Sequence, residues 1–365
     1  MKTVKKSLRF ITRKTIWIAL FPVQWLIFSV TGNHHHFIEK WYSNGLYKAL
    51  SIVLRAITYR IPFSAGEIII YLLIFLLAFK LTISTIKIIK GKLKLLSFIK
   101  QSAINLLTSL SVIYFLFMIL WGMNYHREPL VSVTETNFTT EELQGLCELL
   151  INETNNSREK TIEKTHILNM DKKEIIVEAY EGFKGLTIGN KKLDYKLPSV
   201  KRILFTDMFS YLGVTGIYNP FTGEANVNTD PPDFLIPATV CHEMAHEAGI
   251  APEDEANYVA YVVCKRHRNP FFQYSGYLMA MRYAMNALKK HDRKSFDELW
   301  KKISDGVKSD LDKNRLYWLK FKNPFEKYSD KVYDSYLKAN NQKAGIRSYG
   351  LIVRLLLNDY TNRGL

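Results

Sequence analysis

Three long apolar runs within the first 125 residues constrain this chain more than any other feature. About twenty predominantly apolar residues suffice for a helix to cross the hydrocarbon core of a bilayer. Residues 15–32, 67–86 and 101–125 each meet that description. The third run carries no charge, and Lys80 in the second lies near enough to its end to snorkel toward the headgroups. Residues 1–14 hold six basic side chains and no acid, as a secretory leader would. No convincing small-x-small cleavage site comes after them and further spans do, so the first run reads as an uncleaved anchor.

Lys and Arg counts in short flanks set the orientation. The amino terminus has six, and the loop between the second and third runs has five (Lys87, Lys90, Lys92, Lys94, Lys100) with no acid. Both are expected on the cytoplasmic side, which makes the chain a multi-pass protein of the cytoplasmic membrane. The 33–66 loop and everything after Tyr125 are then extracytoplasmic. Within that loop Leu46, Leu50, Val53, Leu54 and Ile57 share one helical face, the pattern of a helix lying in the outer interface. His34, His35 and His36 are adjacent and cannot all face one ion, so they read as a solvated loop.

The net charge of +16 raises nucleic acid as a partner, but its distribution argues against it. Residues 1–125 carry sixteen Lys/Arg against two acids (Glu39, Glu67), a net of +14, and residues 126–365 carry 34 against 32. The basicity belongs to the apolar third, where the lipid bilayer accounts for it. At 365 residues the chain has room for two domains, here 1–125 and 126–365. Three scattered cysteines (Cys147, Cys241, Cys264) make no disulfide framework; they read as small buried thiols, a Cys241–Cys264 bridge being the alternative.

In the outer part, Thr139 to Glu142 forms a capping box that opens a helix carrying Leu143, Leu146, Leu149 and Leu150. Asn152, Asn155 and Asn156 are expected to end it in a polar loop. Asp171 to Glu174 caps a second helix through Phe183. Residues 202–209 are strand-like, and Gly213, Gly216 and Gly223 punctuate the stretch up to Asp230. Residues 224–229 suggest a short extended edge able to pair with an extended peptide, or an ordinary hairpin. From Pro237 onward the pattern is almost wholly helical, with Ser295 to Glu298 capping one helix and residues 348–360 forming the last.

Pro237 suits a first helical turn, Gly249 a left-handed stop, and Pro252 the start of another helix. Between Pro237 and Gly249 lies His242-Glu243-Met244-Ala245-His246, the pattern HExxH. On a helix, positions i and i+4 sit one above the other, so both imidazoles can hold one Zn²⁺. Glu243 is then poised as general base toward water at the metal. A catalytic zinc usually takes a third protein ligand.

From about Asn219 to Arg268 the sequence resembles the zincin metallopeptidases. One branch of that superfamily has, after HExxH, a helix bearing Glu-x-x-x-Asp, whose Glu is the third ligand and whose Asp orients a ligand. The resemblance thus implies Glu253 as ligand and Asn257, standing where the Asp would be, as its support. Glu255 is the alternative. A second branch uses HExxHxxGxxH; this chain keeps Gly249 but has Pro252 in place of the last His. Tyr218, His267, Tyr274 and Tyr277 are the nearest polar candidates for the oxyanion donor that hydrolysis requires. Three spans and then such a domain, with residues 219–229 and 333–338, also resemble an uncharacterised bacterial family with no established activity.

The expected fold is mainly α: three transmembrane helices, then an α+β zincin-like domain with a small β element before the HExxH helix. The expected function is zinc-dependent hydrolysis of peptide bonds in peptides or proteins outside the cytoplasmic membrane. The alternative is a zinc-binding, non-catalytic scaffold, which a fourth protein ligand such as Glu224 or His267 would favour. Asp230, Asp233 and Glu247 make the motif too polar for an intramembrane protease, and one isolated Lys80 offers no pathway for a transporter.

Overall fold

Helices dominate the chain, which a computed structural model describes at residues 2–132, 138–163, 170–193, 195–324, 326–342, 345 and 351–363. Three helices are long and apolar enough to cross a membrane: residues Lys14–Gly32 of α1 (Lys2–Gly32), then α4 (Ala65–Ile89) and α5 (Leu95–Leu120). Between the first two lie a short α2 (His35–Phe37), a π-helical stretch Ile38–Leu46, and α3 (Tyr47–Thr58). The second span extends from the expected 67–86 to 65–89, and the third shifts at both ends. The third span starts at Leu95 rather than residue 101, with Lys100 inside it at a depth from which its amine can snorkel. It ends at Leu120, because Trp121 leaves the helical region (φ −155°) and Gly122–His126 tightens into a 3₁₀ turn.

The chain forms two compact units. The first comprises residues 1–54, 65–128 and 220–222. In it α1 and α5 pack through Phe21, Phe28, Tyr114 and Phe115, and Arg127 grips Glu39 with two hydrogen bonds of 2.7 and 2.9 Å. The second comprises residues 55–64, 129–219 and 223–365, so it takes in a short segment from before the second span. The apolar face expected on α3 stays outward at Val53 and Ile57, while Tyr47, Ser51, Arg55 and Thr58 are buried.

In the second unit, α6 (Thr140–Glu163) starts at the expected capping box but runs on through the asparagines. Thr154, Ser157 and Thr161 return their hydroxyls to carbonyls one turn back, which satisfies them on a buried helix face. Asn155 instead ties down the Lys302–Ser304 loop. Helix α7 (Lys172–Phe183) has the expected Asp171/Glu174 capping box. A two-residue ladder, β1 (Thr187–Ile188) with β2 (Lys191–Lys192), comes next.

The strand expected at 202–209 is mostly absent. Strand β3 (Val200–Arg202) ends early and α8 (Thr206–Tyr211) takes over. Then come β4 (Gly216–Asn219) and β5 (Glu224–Val227), and the sheet order is β3-β5-β4. Residues 224–227 are therefore the fully buried central strand, parallel to β3 and antiparallel to β4, not an edge. The edge on the antiparallel side is β4.

The remaining helices are α9 (Ile236–Glu247), α10 (Glu253–Arg266), α11 (Pro270–His291), α12 (Arg293–Lys302), α13 (Asp305–Phe321), α14 (Glu326–Ala339) and α15 (Ile352–Arg363). Asp292, not Ser295, caps α12, because its carboxylate accepts from both Lys294 N and Ser295 N. The start expected for the last helix, Ser348, lies outside the described residues. The core is built where α6, α9, α10 and α11 meet, with Leu146, Val240, Met244, Val259, Val263 and Leu278 fully buried. Cys241 and Cys264 face each other there at 3.7 Å, unbridged.

Candidate metal centre

Pro237 in the first turn starts α9, and Gly249 (φ +89°) stops the chain just past its end in a conformation that costs a Cβ-bearing residue free energy. The turn sends Ile250 back over the helix, where its carbonyl sits 2.7 Å from His246 Nδ1. That carbonyl can only accept, so Nδ1 carries the proton and Nε2 presents its lone pair. His242 Nε2 lies one helical turn away, 3.2 Å from His246 Nε2. Pro252 then opens α10, and its first residue, Glu253, places Oε2 3.2 Å from His242 Nε2 and 3.7 Å from His246 Nε2.

These separations test the donor set against a cation. A tetrahedron with bonds of 2.0–2.1 Å has donor–donor edges of about 3.3 Å. The three observed edges of 3.2, 3.2 and 3.7 Å bracket that length. Two imidazole lone pairs and one carboxylate oxygen are the donor chemistry Zn²⁺ takes. Buried carboxylate oxygens point the same way: Glu243 Oε2 and Glu253 Oε2 have no well-formed hydrogen bond. Such groups ordinarily imply a missing partner. The residues fit a small tetrahedral cation.

Without a cation in place the cluster's carboxylates favour a proton on His246, which an ion would displace. Burial alone would raise the Glu253 carboxyl, but the His242 and His246 imidazoles beside it hold it well below the usual carboxylate range. Burial lowers the His246 imidazole, yet Glu253, Glu243 and the Ile250 carbonyl outweigh this and lift it to about 9. Burial pushes Glu243 up to about 7, against the pull of His242 and His246 and with a further push from Glu253. A buried carboxyl near 7 is matched to proton transfer at neutral pH.

Glu243 occupies space left by a glycine. A Cβ on Gly216 of β4 would come within 2.3 Å of Glu243 Oε1, so the strand passes over the carboxylate only because residue 216 has no side chain. Two residues on, the Tyr218 ring lies 6.5 Å from the His246 ring, centroid to centroid.

The other expected site residues are elsewhere. Glu255 accepts from Leu130 N at 2.7 Å and does not join the cluster. Its place on α10, two residues past Glu253, turns it to another face of the helix. His267 stacks on Phe272 and accepts from Asn269 N. Tyr274 donates to Asp310 at 2.8 Å, and Tyr277 packs against Tyr261. Of the four oxyanion candidates, Tyr218 is the one with a ring against a cluster member. Among the described residues the metal-ligating group is His242, His246 and Glu253, without Glu224 or His267.

Asn257 is buried one turn after Glu253, but the hydrogen bond that orients the carboxylate comes from Tyr333 of α14, whose hydroxyl donates to Glu253 Oε1 at 2.8 Å. This fixes which oxygen faces the imidazoles. Tyr333 is 80 residues away in sequence, and only its place in a family-like stretch singled it out. Tyr333→Phe should weaken metal affinity by about 10–100-fold, the usual effect of losing an outer-shell partner. Competition against a chromogenic zinc chelator measures it; unchanged affinity would remove Tyr333 from the site.

The back of α9 is also held. Glu247, next to His246, accepts from Tyr195 OH and Ser199 N, each at 2.8 Å. Arg55, 2% exposed, donates to the Glu247 carbonyl at 3.1 Å and the Lys196 carbonyl at 3.3 Å, with its guanidinium 5.1 Å from the Tyr195 ring centre.

Fold and cluster together define a mainly helical protein, anchored to a membrane by its apolar helices, with a candidate His₂Glu metal centre. The chain belongs to a family described as a protein of unknown function (DUF3810), matched over residues 42–357. No curated protein and no solved structure matches the chain.

Proposed function

We propose that this protein is a zincin-like, zinc-dependent metallopeptidase, anchored in the cytoplasmic membrane and acting on peptide bonds outside it. The observation that carries the reading is the convergence of His242 Nε2, His246 Nε2 and Glu253 Oε2, with the Glu243 carboxylate buried beside them. His242, His246 and Glu253 would hold the ion, with an open position because no fourth His, Cys, Asp or Glu joins them among the described residues. Zn²⁺ bound there supplies Lewis acidity, which lets water lose a proton near neutral pH and polarises a carbonyl.

The chain's own residues supply the rest. Glu243 takes the proton of the attacking water and returns it to the leaving amine. Tyr218 is the candidate hydroxyl donor to the oxygen that gains charge. The edge strand β4 runs over α9 with Gly216 above Glu243, and its outer side suits the backbone of an extended peptide. The orientation rests on the eleven basic residues of the amino terminus and the 87–100 loop, which favour the cytoplasmic side.

Metal analysis of the full-length protein, purified in detergent without added metal, tests the reading. One zinc per chain is expected, removed by a strong chelator and restored by stoichiometric Zn²⁺. A carefully prepared protein that neither contains nor rebinds zinc overturns it.

A further inference from the structure

The second unit carries an apolar surface that the metal centre does not use. Leu204, Phe205, Met208, Tyr211 and Leu212 are 44–58% exposed within nine consecutive residues, from the link after β3 through α8 to its C-cap. Elsewhere in this unit exposed apolar residues stand singly, such as Val177 on α7, or in short helical stripes, Leu316 and Leu319 on α13 and Tyr328, Val332 and Tyr336 on α14. A contiguous patch of large apolar side chains marks a surface that meets something other than water.

Three observations identify what it meets. The first is a hydrogen-bonded leash. Lys201, buried in the middle of β3, donates to the carbonyls of Tyr59 (3.3 Å) and Ile61 (2.6 Å), and Thr58 Oγ1 shares a hydrogen bond with Ser199 Oγ (2.9 Å). The segment so held runs straight into α4, whose apolar helix begins at Ala65. Four residues of fully extended chain span at most about 14 Å. The Lys201 amine is therefore bound to a segment whose chain reaches the start of α4 four residues later.

The second observation is the tether itself. Its own large apolar side chains, Ile57 (65%) and Phe63 (41%), are exposed. The third is the fringe. Tyr211 packs on Phe321 of α13 with ring centres 5.1 Å apart, and Asn323 Nδ2 donates to the Tyr211 carbonyl at 2.7 Å. Next to that contact α13 exposes Leu316 and Leu319, and just beyond them the bases Lys320 and Lys322. Aliphatic side chains, an amphipathic tyrosine and flanking lysines are the chemistry of the headgroup–acyl boundary, the lysines meeting lipid phosphates. One acid, Asp207, is exposed within the patch, and the exposed bases beside it are Arg202 at the end of β3 and Lys320 and Lys322 on the α13 side.

We propose that residues 204–212 seat in the headgroup–acyl boundary of the bilayer that the apolar helices cross, so that the metal-bearing unit rides on the membrane surface rather than hanging free of it. Strand β3 passes from the tether to the patch and pairs with β5, which in turn pairs with β4 over α9. The same small sheet thus joins the membrane-seated patch to the candidate metal centre.

Nitroxide labels on full-length protein in nanodiscs of phosphatidylethanolamine and phosphatidylglycerol test this. Labels go singly on Phe205→Cys, Met208→Cys and, as a control, Val177→Cys; all are exposed positions, and the three native cysteines are buried. Collision with oxygen, which partitions into lipid, is compared with collision with a water-soluble nickel chelate. At 205 and 208 oxygen collisions should exceed nickel collisions several-fold, with the ratio reversed at 177. Nickel access at 205 and 208 equal to that at 177 overturns the proposal. Exclusion of both probes there also overturns it, because that result means a protein partner or a second copy of this chain covers the patch.

Discussion

Glu243→Gln should leave the zinc in place and reduce peptide hydrolysis by about 10²–10⁴-fold, the usual contribution of a general base. The amide has the shape of the carboxylate and fits the same space beneath Gly216. None of the three cluster donors changes, so metal content should stay at the wild-type level. The side chain can then no longer accept a proton from water. Burial that lifts the Glu243 carboxyl to about 7 makes the unsubstituted residue a base able both to take a proton and to return it near neutral pH. The measurement pairs zinc content with turnover of a mixed peptide pool by the full-length protein. Wild-type turnover in the zinc-loaded variant would refute Glu243 as the base, whereas loss of zinc would show that Glu243 shapes the cluster itself.

The features legible in the sequence are those that depend on near neighbours. The long apolar helices are legible because apolar length is a local property, and the largest shift of an end is at the third, where Lys100 can reach past its own depth. His242, Glu243 and His246 are legible because one helical turn fixes their relation. Sequence leaves the third ligand open between Glu253 and Glu255 because it depends on the rotational phase at which α10 starts. The turn at Gly249 and Pro252 sets that phase, and it brings Glu253 Oε2, rather than Glu255, to the imidazoles.

Features that need distant partners are not legible. Residues 224–227 have the composition of an edge strand, but β3 and β4 enclose them on both sides. Gly216 reads as a turn residue, yet its lack of a side chain serves Glu243 from within a strand. The polar run at Asn152–Asn156 reads as a helix end, but Lys302 and Ser304 give Asn155 its partners and the helix continues. Tyr333 and Arg55 reach the site from α14 and from before the second span, and no local pattern announces either contact.

Arg55 carries the other large expected effect. Arg55→Met should destabilise the second unit by about 3–5 kcal/mol, the cost of leaving a buried charge without its partner. Three losses act together. The Glu247 and Lys196 carbonyls lose a buried donor, and the face of the Tyr195 ring loses its cation. Glu247, pushed up to about 7 by burial, also loses the positive charge that offsets that burial. For a unit of this size the midpoint of unfolding should fall by roughly 6–20 °C. The comparison belongs in a chelator, because zinc bound to the native state would mask part of the change. Arg55→Lys keeps the charge but not the planar fork and should fall between wild type and Met. Adding Glu247→Gln to Arg55→Met should recover part of the loss, since no uncompensated carboxylate then remains. Strictly additive losses in the double variant would show that Arg55 acts through its carbonyl contacts alone. Because Glu247 is the residue directly after His246, Arg55→Met should also loosen the helix end that carries a ligand and so lower zinc affinity. A segment from before the second span is thereby part of the metal-bearing unit, and a chain cut to begin at residue 126 lacks both Arg55 and the Lys201 partners Tyr59 and Ile61.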